Sequence, residues 1–547
     1  MKKYILLFLL VVTQTLLGQR KPTEIQKLAI TCKVWGYLKY YHPEVASGKT
    51  DWDKQLVAVL PKIEKAQTKE EVSTILENWI DALGAVRKND AELNLKETVY
   101  FDKNFDLSWI NKNKLLSKNL SAKLKFIEDN RYQGEQYYVA PYDGENIFVK
   151  NENYNDVNFK DKSPRLLALF MYWNLIEYFF PYKYLMDQKW DLSLTDMLPH
   201  FIDAENEAEF YIALKKLSVK LNDSHAAFFI YPPKSLNYLP AKGKIIDDKI
   251  IITEILADTL AKQSGIKIGD VITKINNKAV KEIISENRTL INASNEPAYL
   301  NNVASYALSG ITDTVTLEFL KDGSYTTRTI NWYEYDYSHK NEFLKTNKKD
   351  KFKILEGNIG FVNMGTLKVQ NIPAMIDKLS SAKAIIFDMR NYPNGTFYDL
   401  SKFLNPKEKE FAIYTTPDLT YPGRYKWTQA QKCGSENENY YKGKVVVLLN
   451  EDSISQSEWT AMCLKTAGNT TVIGSQTAGA DGNITRLDFI KAFHTQFSGV
   501  GVYYPDKSET QRIGIIPDIE IRPTIKGIQQ GKDEVLDRAI EFINSGK

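Results

Sequence analysis

One stretch of this chain occurs twice without a gap, and it predicts a helical first half. Residues 34–43 read VWGYLKYYHP, and residues 172–181 read YWNLIEYFFP. Trp35 and Trp173 are 138 residues apart (173 − 35), and four further pairs keep that separation: Pro43 and Pro181, Trp52 and Trp190, Asp53 and Asp191, and Pro61 and Pro199. A repeat at a fixed spacing indicates one structural unit that is used twice.

The sequence after the last proline of each copy predicts an amphipathic helix. Its apolar residues recur three and four positions apart, which places them on one helical face. They are Val72, Leu76, Trp79 and Leu83 in the first copy and Phe210, Leu214, Leu217 and Leu221 in the second. We therefore expect an N-terminal helical domain over residues 19–150 and a second helical copy over residues 151–235.

The two copies differ where they end. The second copy continues into Asn222-Asp223-Ser224-His225-Ala226, whereas Arg87 holds the place of His225 in the first copy. An imidazole can accept a proton near neutral pH, and a guanidinium cannot. The second copy alone therefore ends in a candidate general base.

The N-terminus and the composition indicate an exported protein. Met1-Lys2-Lys3 precedes an apolar run, which is typical of a secretory signal peptide, here residues 1–18. The run is short for a bilayer span, so we expect a periplasmic or secreted protein with no membrane span after cleavage. A net charge of +3 gives no bias toward nucleic acid. Three scattered cysteines predict neither a disulfide framework nor a metal site, and we expect no cofactor.

Residues 236–335 predict a separate β-rich domain. Lys244 to Ile255 and Val315 to Leu320 have the β-branched content of strands. Between them, residues 265–276 read GIKIGDVITKIN, which resembles the turn and strand of PDZ domains. A PDZ domain captures extended polypeptide by adding it as a strand to a sheet edge. The alternative is a small β module that only packs on its neighbour.

The C-terminal region, residues 350–547, alternates strands and helices, which predicts an α/β domain. Val445 to Leu449 reads as a buried strand, a helix follows, and Ser453, Ser455 and Ser457 lie in the turn between them. A serine at such a turn lies near unpaired N–H groups of the helix, where acyl-transfer chemistry can place a nucleophile. The alternative is an ordinary helix cap, because serine is a common N-cap.

Four segments of this region resemble one known family. They are DMRNYPNG at residues 388–395, NEDSISQSE at residues 450–458, VIGSQTAGADG at residues 472–482 and GIIPDIEI at residues 514–521. Together with the PDZ-like segment and the preceding LNDSHA, they resemble the C-terminal processing peptidases and the tricorn protease core. The resemblance implies a multidomain α+β protein whose α/β catalytic domain is crotonase- or ClpP-like and receives polypeptide from the PDZ domain.

The resemblance also implies roles for individual residues. Ser455 matches the family nucleophile, and the N–H groups of Gln456 and Gly395 would form the two halves of the oxyanion hole. One branch of the family uses a lysine 25 residues after the serine, where this chain has Ala480 (455 + 25). The tricorn-like branch instead uses a histidine before the PDZ domain, which His225 matches.

A third group should orient the imidazole and stabilise it when it is charged. The tricorn-like pattern has a glutamate shortly before G-x-x-P-D. Glu509 is the nearest acid and our prediction for this role, with Gln511 and Asp518 as alternatives. Asp223 is a further carboxylate close to His225 in sequence, and its simpler role is to cap a turn.

These residues predict an exported serine-type endopeptidase that cleaves unfolded polypeptides or peptide tails captured by the PDZ domain. Ser455 and His225 would replace a Ser–Lys dyad, because a serine hydroxyl without a base is a weak nucleophile. The main alternative is a catalytically inactive protein of the same fold that binds a peptide or another ligand. A weaker alternative is an esterase that uses the same acyl-serine chemistry. The oligomeric state stays open.

Overall fold

The structure is a computed structural model that describes residues 21–88, 98–142, 146–152, 158–230, 236–334, 350–490 and 493–546. The signal peptide expected over residues 1–18 lies outside these ranges. Within them, no helix combines the length and the apolar character that a bilayer span requires.

Two helical units occupy the first part of the chain, and each begins with a buried 18-residue helix. The first unit contains the helices Glu24–Tyr41, Pro43–Ala46, Trp52–Lys65 and Lys69–Asp81. The second contains the helices Lys162–Phe179, Trp190–Asp203 and Glu207–Val219 and the 3-10 turn Lys183–Leu185. The three long helices of the second unit begin and end 138 positions after those of the first (162 − 24). The amphipathic helices predicted after Pro61 and Pro199 are confirmed.

Paired tryptophans join two helices within each unit. Trp35 and Trp52 donate their indole N–H groups to each other's backbone carbonyls, at 3.3 and 2.9 Å. Trp173 and Trp190 do the same at 3.2 and 3.0 Å. All four side chains are buried. These four buried indole donors are therefore paired inside the core of their own unit.

The segment between the units packs against the C-terminal region. Its elements are the strand Tyr100–Phe101, the helices Trp109–Lys112 and Lys118–Asp129, and the hairpin Val139–Tyr142 with Asn146–Val149. Tyr100–Phe101 pairs with the strand Tyr425–Trp427. One apolar core runs through both helical units and includes Phe493 and Phe497. The helical units and the C-terminal region are thus packed together.

The PDZ-like region contains one main sheet and its own apolar core. Its strands are Asn237–Tyr238, Ala241–Ile246, Lys249–Ile255, Val271–Ile275, Lys278–Ala279, Ser309–Gly310, Thr314–Lys321, Ser324–Asn331 and Tyr333–Glu334, and its helices are Asp258–Ser264, Val280–Glu286, the 3-10 turn Asn287–Thr289 and Glu296–Ala307. The strand-like stretch Lys244 to Ile255 lies in a hairpin of two strands. Asp247 and Asp248 turn the chain with positive φ angles of 51° and 56°, which suits a two-residue hairpin turn.

The C-terminal region is built on a six-stranded sheet in which five neighbouring strands are parallel. Their spatial order is Phe352–Leu355, Ile359–Asn363, Ala384–Asp388, Lys444–Leu449, Thr470–Gly474 and Ile519–Glu520, and the first of these is antiparallel to its neighbour. Apolar clusters cover both faces, as parallel sheets require. Because parallel strands end at one edge, the loops after Asp388, Leu449 and Gly474 lie side by side there.

The remaining elements cover this sheet and connect it to the helical units. They are the helices Val369–Asn371 (3-10), Ile372–Leu379, Phe397–Leu404, Gln456–Leu464, Ile525–Gln529 and Glu534–Ser545 and the strands Lys409–Pro417, Tyr425–Trp427, Gln431–Cys433, Ile484–Ile490, Phe493–Ser498 and Gly501–Tyr503. The strand Ala227–Ile230, which follows the second helical unit, pairs with Phe493–Ser498. That pairing carries the loop of residues 222–226 to the C-terminal region.

Candidate active site

Ser455 lies at a sharp turn between a buried strand and a buried helix. The helix Gln456–Leu464 begins directly after it. The backbone angles of Ser455 are φ 57° and ψ −118°, a combination that residues with a Cβ adopt only where the surrounding structure holds them. Its N–H donates to the Ala480 carbonyl at 2.9 Å, and its side chain is half-buried. The predicted strand-to-helix serine turn is therefore present, and it is strained.

The buried carboxylate of Glu458 ties this turn to the loop opposite. It accepts the N–H groups of Gly479 at 2.8 Å and Ala480 at 3.0 Å, and the hydroxyl of Thr477. It also accepts the N–H of Ser455 at 3.3 Å. Burial raises the pKa of Glu458 to about 7, against the opposing effect of these donors. Glu458 thus supports the backbone that carries the serine.

Among the described residues, no acceptor is found for the backbone N–H groups of Gln456 and Gly395, which lie at this edge of the sheet. Gln456 is the first helical residue, where an N–H has no partner within the helix. Gly395 has a φ of 65°, and a Cβ there would meet only open space. These are the two donors that the resemblance implies for an oxyanion hole, and both are free to receive an oxygen.

The loop that carries Gly395 is fixed from three sides. Arg390 donates to Asp388 at 2.8 and 2.9 Å and to Asp533 at 2.7 and 2.8 Å. Asn394 donates its amide to nearby backbone carbonyls, one of them that of Gly365 at 3.0 Å. The Ser453 hydroxyl donates to the backbone carbonyl of Met389 at 2.9 Å. These contacts hold the loop that carries Gly395 in place.

His225 and Ser455 flank the same short segment. Ser224, the neighbour of His225, donates its hydroxyl to the Ala478 carbonyl at 2.9 Å, two residues before the Ala480 carbonyl that binds Ser455. Within the described chain, no hydrogen bond joins the two side chains themselves. Burial lowers the pKa of His225, and the charge of Asp223 opposes this shift. A neutral imidazole is the form that can accept a proton.

The ring of His225 contacts a serine and not a carboxylate. Its Nδ1 lies 3.0 Å from Ser498 Oγ. Ser498 donates its hydroxyl to Asp223 at 2.9 Å and its backbone N–H to the same carboxylate at 2.7 Å. Gln511 donates its side-chain amide to Asp223 at 3.1 Å. All four side chains are buried.

The prediction that Glu509 orients His225 is wrong. Its carboxylate accepts the hydroxyl of Tyr184 at 2.5 Å and pairs with Lys103 at 2.9 Å. Of the two alternatives, Asp518 accepts the backbone N–H of Val472 at 2.7 Å, and Gln511 contacts Asp223. Glu509 contacts Lys103 and Tyr184 instead of His225. The spacing of Glu509 to the motif does not reveal these contacts.

The sequence does not single out Ser498 or Glu458. Glu458 stands three residues after the helix-capping Ser455, a capping-box position that could have indicated a support role. Ser498 has no comparable signal. It comes to His225 through the antiparallel ladder that pairs Gln496 with Ala227, because two more steps along this ladder set residue 498 opposite residue 225.

The position at which one branch of the family has a lysine base is apolar in this chain. Ala480 is buried, and burial raises the pKa of its neighbour Asp481 well above the usual range. Among the described residues, no cluster of three or more His, Cys, Asp and Glu side chains could hold a metal ion. His225 is therefore the candidate base for Ser455.

The PDZ-like region contacts the turn that leads to the serine. Lys244 of its edge strand pairs with Glu451 and lies 3.3 Å from Asp452. Asn301 of its last long helix donates to Asp452 at 2.9 Å. These contacts connect the sheet edge of the PDZ-like region to the chain just before Ser455.

Comparisons with known proteins agree with this fold. Residues 358–521 match the model of Peptidase family S41, and residues 233–298 match the model of the PDZ domain. The structure of mature CPAF complexed with lactacystin superposes with a TM-score of 0.57 at 14% identity, over 71% of this chain and 99% of that chain. At that identity the likeness concerns the fold alone.

Curated relatives are similar in sequence. A "Probable CtpA-like serine protease" of Staphylococcus aureus (strain N315) is 23% identical over 288 residues, which is 50% of this chain and 50% of the relative. The protein of the same name from the strain bovine RF122 / ET3-1 is 24% identical over 286 residues. The chain thus spans about half the length of the curated relatives it matches.

The fold, the serine turn and these matches resemble those of serine-type peptidases that carry a PDZ domain. The resemblance to the C-terminal processing peptidases is confirmed. The similarity to Peptidase family S41 covers residues 358–521.

Proposed function

We propose that this protein is an exported endopeptidase that cleaves polypeptides at Ser455 with His225 as general base. The observation that carries the proposal is the strained Ser455 turn, at the edge of the sheet where the N–H groups of Gln456 and Gly395 have no acceptor among the described residues. His225 Nε2 would take the hydroxyl proton while Ser455 Oγ attacks the scissile carbonyl. The N–H groups of Gln456 and Gly395 would stabilise the oxyanion, where one donor contributes about 10²–10³ in rate. His225 would then protonate the leaving amine, and water would hydrolyse the acyl-serine by the same route.

Extended polypeptide is the expected substrate because it can be added as a strand to the edge of the PDZ-like sheet. Among the described strands, Ala241–Ile246 pairs on one side only. A cavity of about 310 Å³ lies beside it, lined by Leu239, Leu256 and Leu308 among others. A peptide added to this edge would gain main-chain hydrogen bonds and would place alternate side chains in the cavity.

Three finer features belong to the same proposal. The parallel sheet with a serine turn at its carboxyl edge supports a crotonase- or ClpP-like catalytic domain. The equal spacing of the helices supports the duplication of one helical unit. The N-terminal sequence supports export to the periplasm or the medium, which fractionation of expressing cells would test.

The experiment is labelling with a fluorophosphonate probe, which reacts with activated serines. Wild type should be labelled at Ser455, Ser455→Ala should not be labelled, and His225→Gln should react more slowly by several orders of magnitude because the hydroxyl has lost its base. Ser457→Ala is the matched control from the same turn, and it should be labelled like wild type. Its buried hydroxyl has no hydrogen-bond partner among the described residues.

The competing function is peptide binding without cleavage. It is favoured by the lack of a hydrogen bond between Ser455 and His225, although catalytic hydrogen bonds often tighten only when substrate binds. A wild-type protein that binds unfolded polypeptide, cleaves none of it and takes up no probe would support this function and sink the peptidase.

A further inference from the structure

Gln511, one of the alternatives for the orienting group, is a neutral amide. A neutral amide cannot stabilise a positive imidazole as a carboxylate does. Gln511 instead donates to Asp223, a buried carboxylate two residues before His225. The charge needed by His225 is therefore present nearby, but on a different residue.

Both carboxylate oxygens of Asp223 accept hydrogen bonds. Its two oxygens accept four donors: the N–H and hydroxyl of Ser498, the N–H of His225 and the amide of Gln511, at 2.7 to 3.1 Å. Its side chain is fully buried. Four donors suit an ionised carboxylate, which only accepts hydrogen bonds. They fix the position of the charge, which does not touch the ring of His225.

Ser498 has one hydroxyl proton, and its contacts determine where that proton goes. Asp223 only accepts, so the hydroxyl donates to Asp223 at 2.9 Å. The lone pairs of Ser498 Oγ then face Nδ1 of His225 at 3.0 Å, and Nδ1 must be the donor. Protonated Nδ1 leaves Nε2 with the lone pair that a general base needs.

We propose that Ser498 is the positioning residue of this active site, which passes the influence of the buried Asp223 carboxylate to His225 through one hydroxyl. The proposal rests on the proposed function of His225 as general base. Ser498 holds the ring in the Nδ1–H tautomer and orients it. When Nε2 takes the proton of Ser455, the imidazolium keeps both protons, and the Ser498–Asp223 hydrogen bond stabilises its charge. No proton passes to Asp223, and no bond to Ser498 is made or broken.

The kinetic test compares three substitutions. Ser498→Ala removes the acceptor for Nδ1 and should lower kcat by about 10²–10⁴-fold, as expected when a triad histidine loses its tautomer, with little change in KM. Ser498→Thr keeps the hydroxyl and should restore most of kcat. Glu509→Gln changes the acid that lies with Lys103 and Tyr184 and should cost less than about twofold, because it removes no contact to His225. Equal losses in Ser498→Ala and Glu509→Gln would overturn the proposal.

A second measurement reads the tautomer without activity. Long-range ¹H–¹⁵N spectra of protein labelled at its five histidines, in the Ser455→Ala background, should contain an Nδ1–H imidazole that disappears in His225→Gln. Adding Ser498→Ala should shift that signal toward the other tautomer. An unchanged tautomer would overturn the proposal even if kcat fell, since the loss would then be structural. Fluorophosphonate labelling of the wild type reports separately on the proposed peptidase function.

Discussion

The two helical units share one arrangement of helices, called the frame below, and differ in the residues that follow their last long helix. Each is joined by reciprocal tryptophan bonds, and each leaves its last long helix through a left-handed residue, Gly84 with φ 89° and Asn222 with φ 50°. Asn222 adds a side chain that bonds both the N–H and the carboxylate of Asp187, at 2.9 Å each. The frame packs helices in both units. In the second unit, Asn222 also fixes the start of the loop that brings His225 to the strand Phe493–Ser498.

The units also differ in the charges they bury. Lys39 of the first unit is 1% exposed, 2.5 Å from Glu152 and 3.7 Å from Asp53. The matching position of the second unit is Glu177, which pairs with Lys183 at 3.0 Å on the wall of a cavity of about 540 Å³. The Glu177 and Lys183 side chains are 14% and 10% exposed, so this pair is less deeply buried than Lys39 and Glu152.

The largest expected effect tests the difference between the ends. His225→Gln should lower kcat on an unfolded polypeptide by about 10⁴–10⁶-fold, because nucleophile and base act as a unit. Arg87→Gln changes the matching position of the first unit, which is exposed, and should leave kcat unchanged. Cleavage of a fluorogenic polypeptide at saturating substrate measures both. Comparable losses in the two variants would show that the first unit also contributes to catalysis.

The next effect tests the closed charge cluster of the first unit. Lys39→Met leaves Glu152 and Asp53 buried without their cation and should destabilise the protein by about 3–5 kcal/mol. Glu177→Gln keeps a side chain that can accept a hydrogen bond from Lys183 and should cost less, about 1–2 kcal/mol. Burial already raises the pKa of Glu152 to about 7, so the cost of Lys39→Met should shrink between pH 8 and pH 5.5 as that carboxyl protonates. Urea unfolding followed by circular dichroism measures each value, and equal costs would contradict the comparison.

Features encoded by short-range pattern could be predicted from the sequence. The helix after Pro61, the strand before the serine turn and the glycine-containing loop at Gly395 each follow from residues close together in the chain. In each of these cases the informative residues and the predicted feature lie within one segment. The role of His225 stays a prediction, which rests on its motif and on the contrast with Arg87 in the other helical copy.

The orienting group could not be predicted in the same way. Ser498 meets His225 across 273 residues, through a ladder whose register depends on the whole fold. Glu509 has a plausible spacing, but its carboxylate responds to Lys103, 406 residues away. A side chain's direction near a turn depends on such distant partners, so motif spacing alone selects the wrong acid.

A pH profile tests the assignment of the general base to His225 of the second unit. Burial lowers the pKa of His225, so kcat/KM should fall tenfold per pH unit only well below about 6.5, the ordinary histidine value. The unfolded chain binds this proton at a higher pH than the folded protein does, so stability should also fall as pH drops through about 6.5. His200→Gln, at an exposed histidine of the same unit, should not move the profile. An ascending limb above pH 7 would contradict the assignment to a buried His225.

The smallest effect tests whether the two frames are equivalent. Trp35→Phe and Trp173→Phe each remove one indole donor and leave one backbone carbonyl without it, at Trp52 and Trp190 respectively. Each should cost about 1–3 kcal/mol, since a buried acceptor is left unpaired. The two costs should agree within about 1 kcal/mol, because the paired bonds have nearly the same lengths, and kcat should change in neither variant. Thermal unfolding followed by circular dichroism gives the stability difference. A loss of kcat in Trp173→Phe alone would mean that the tryptophan pair of the second unit also affects the position of the loop that carries His225.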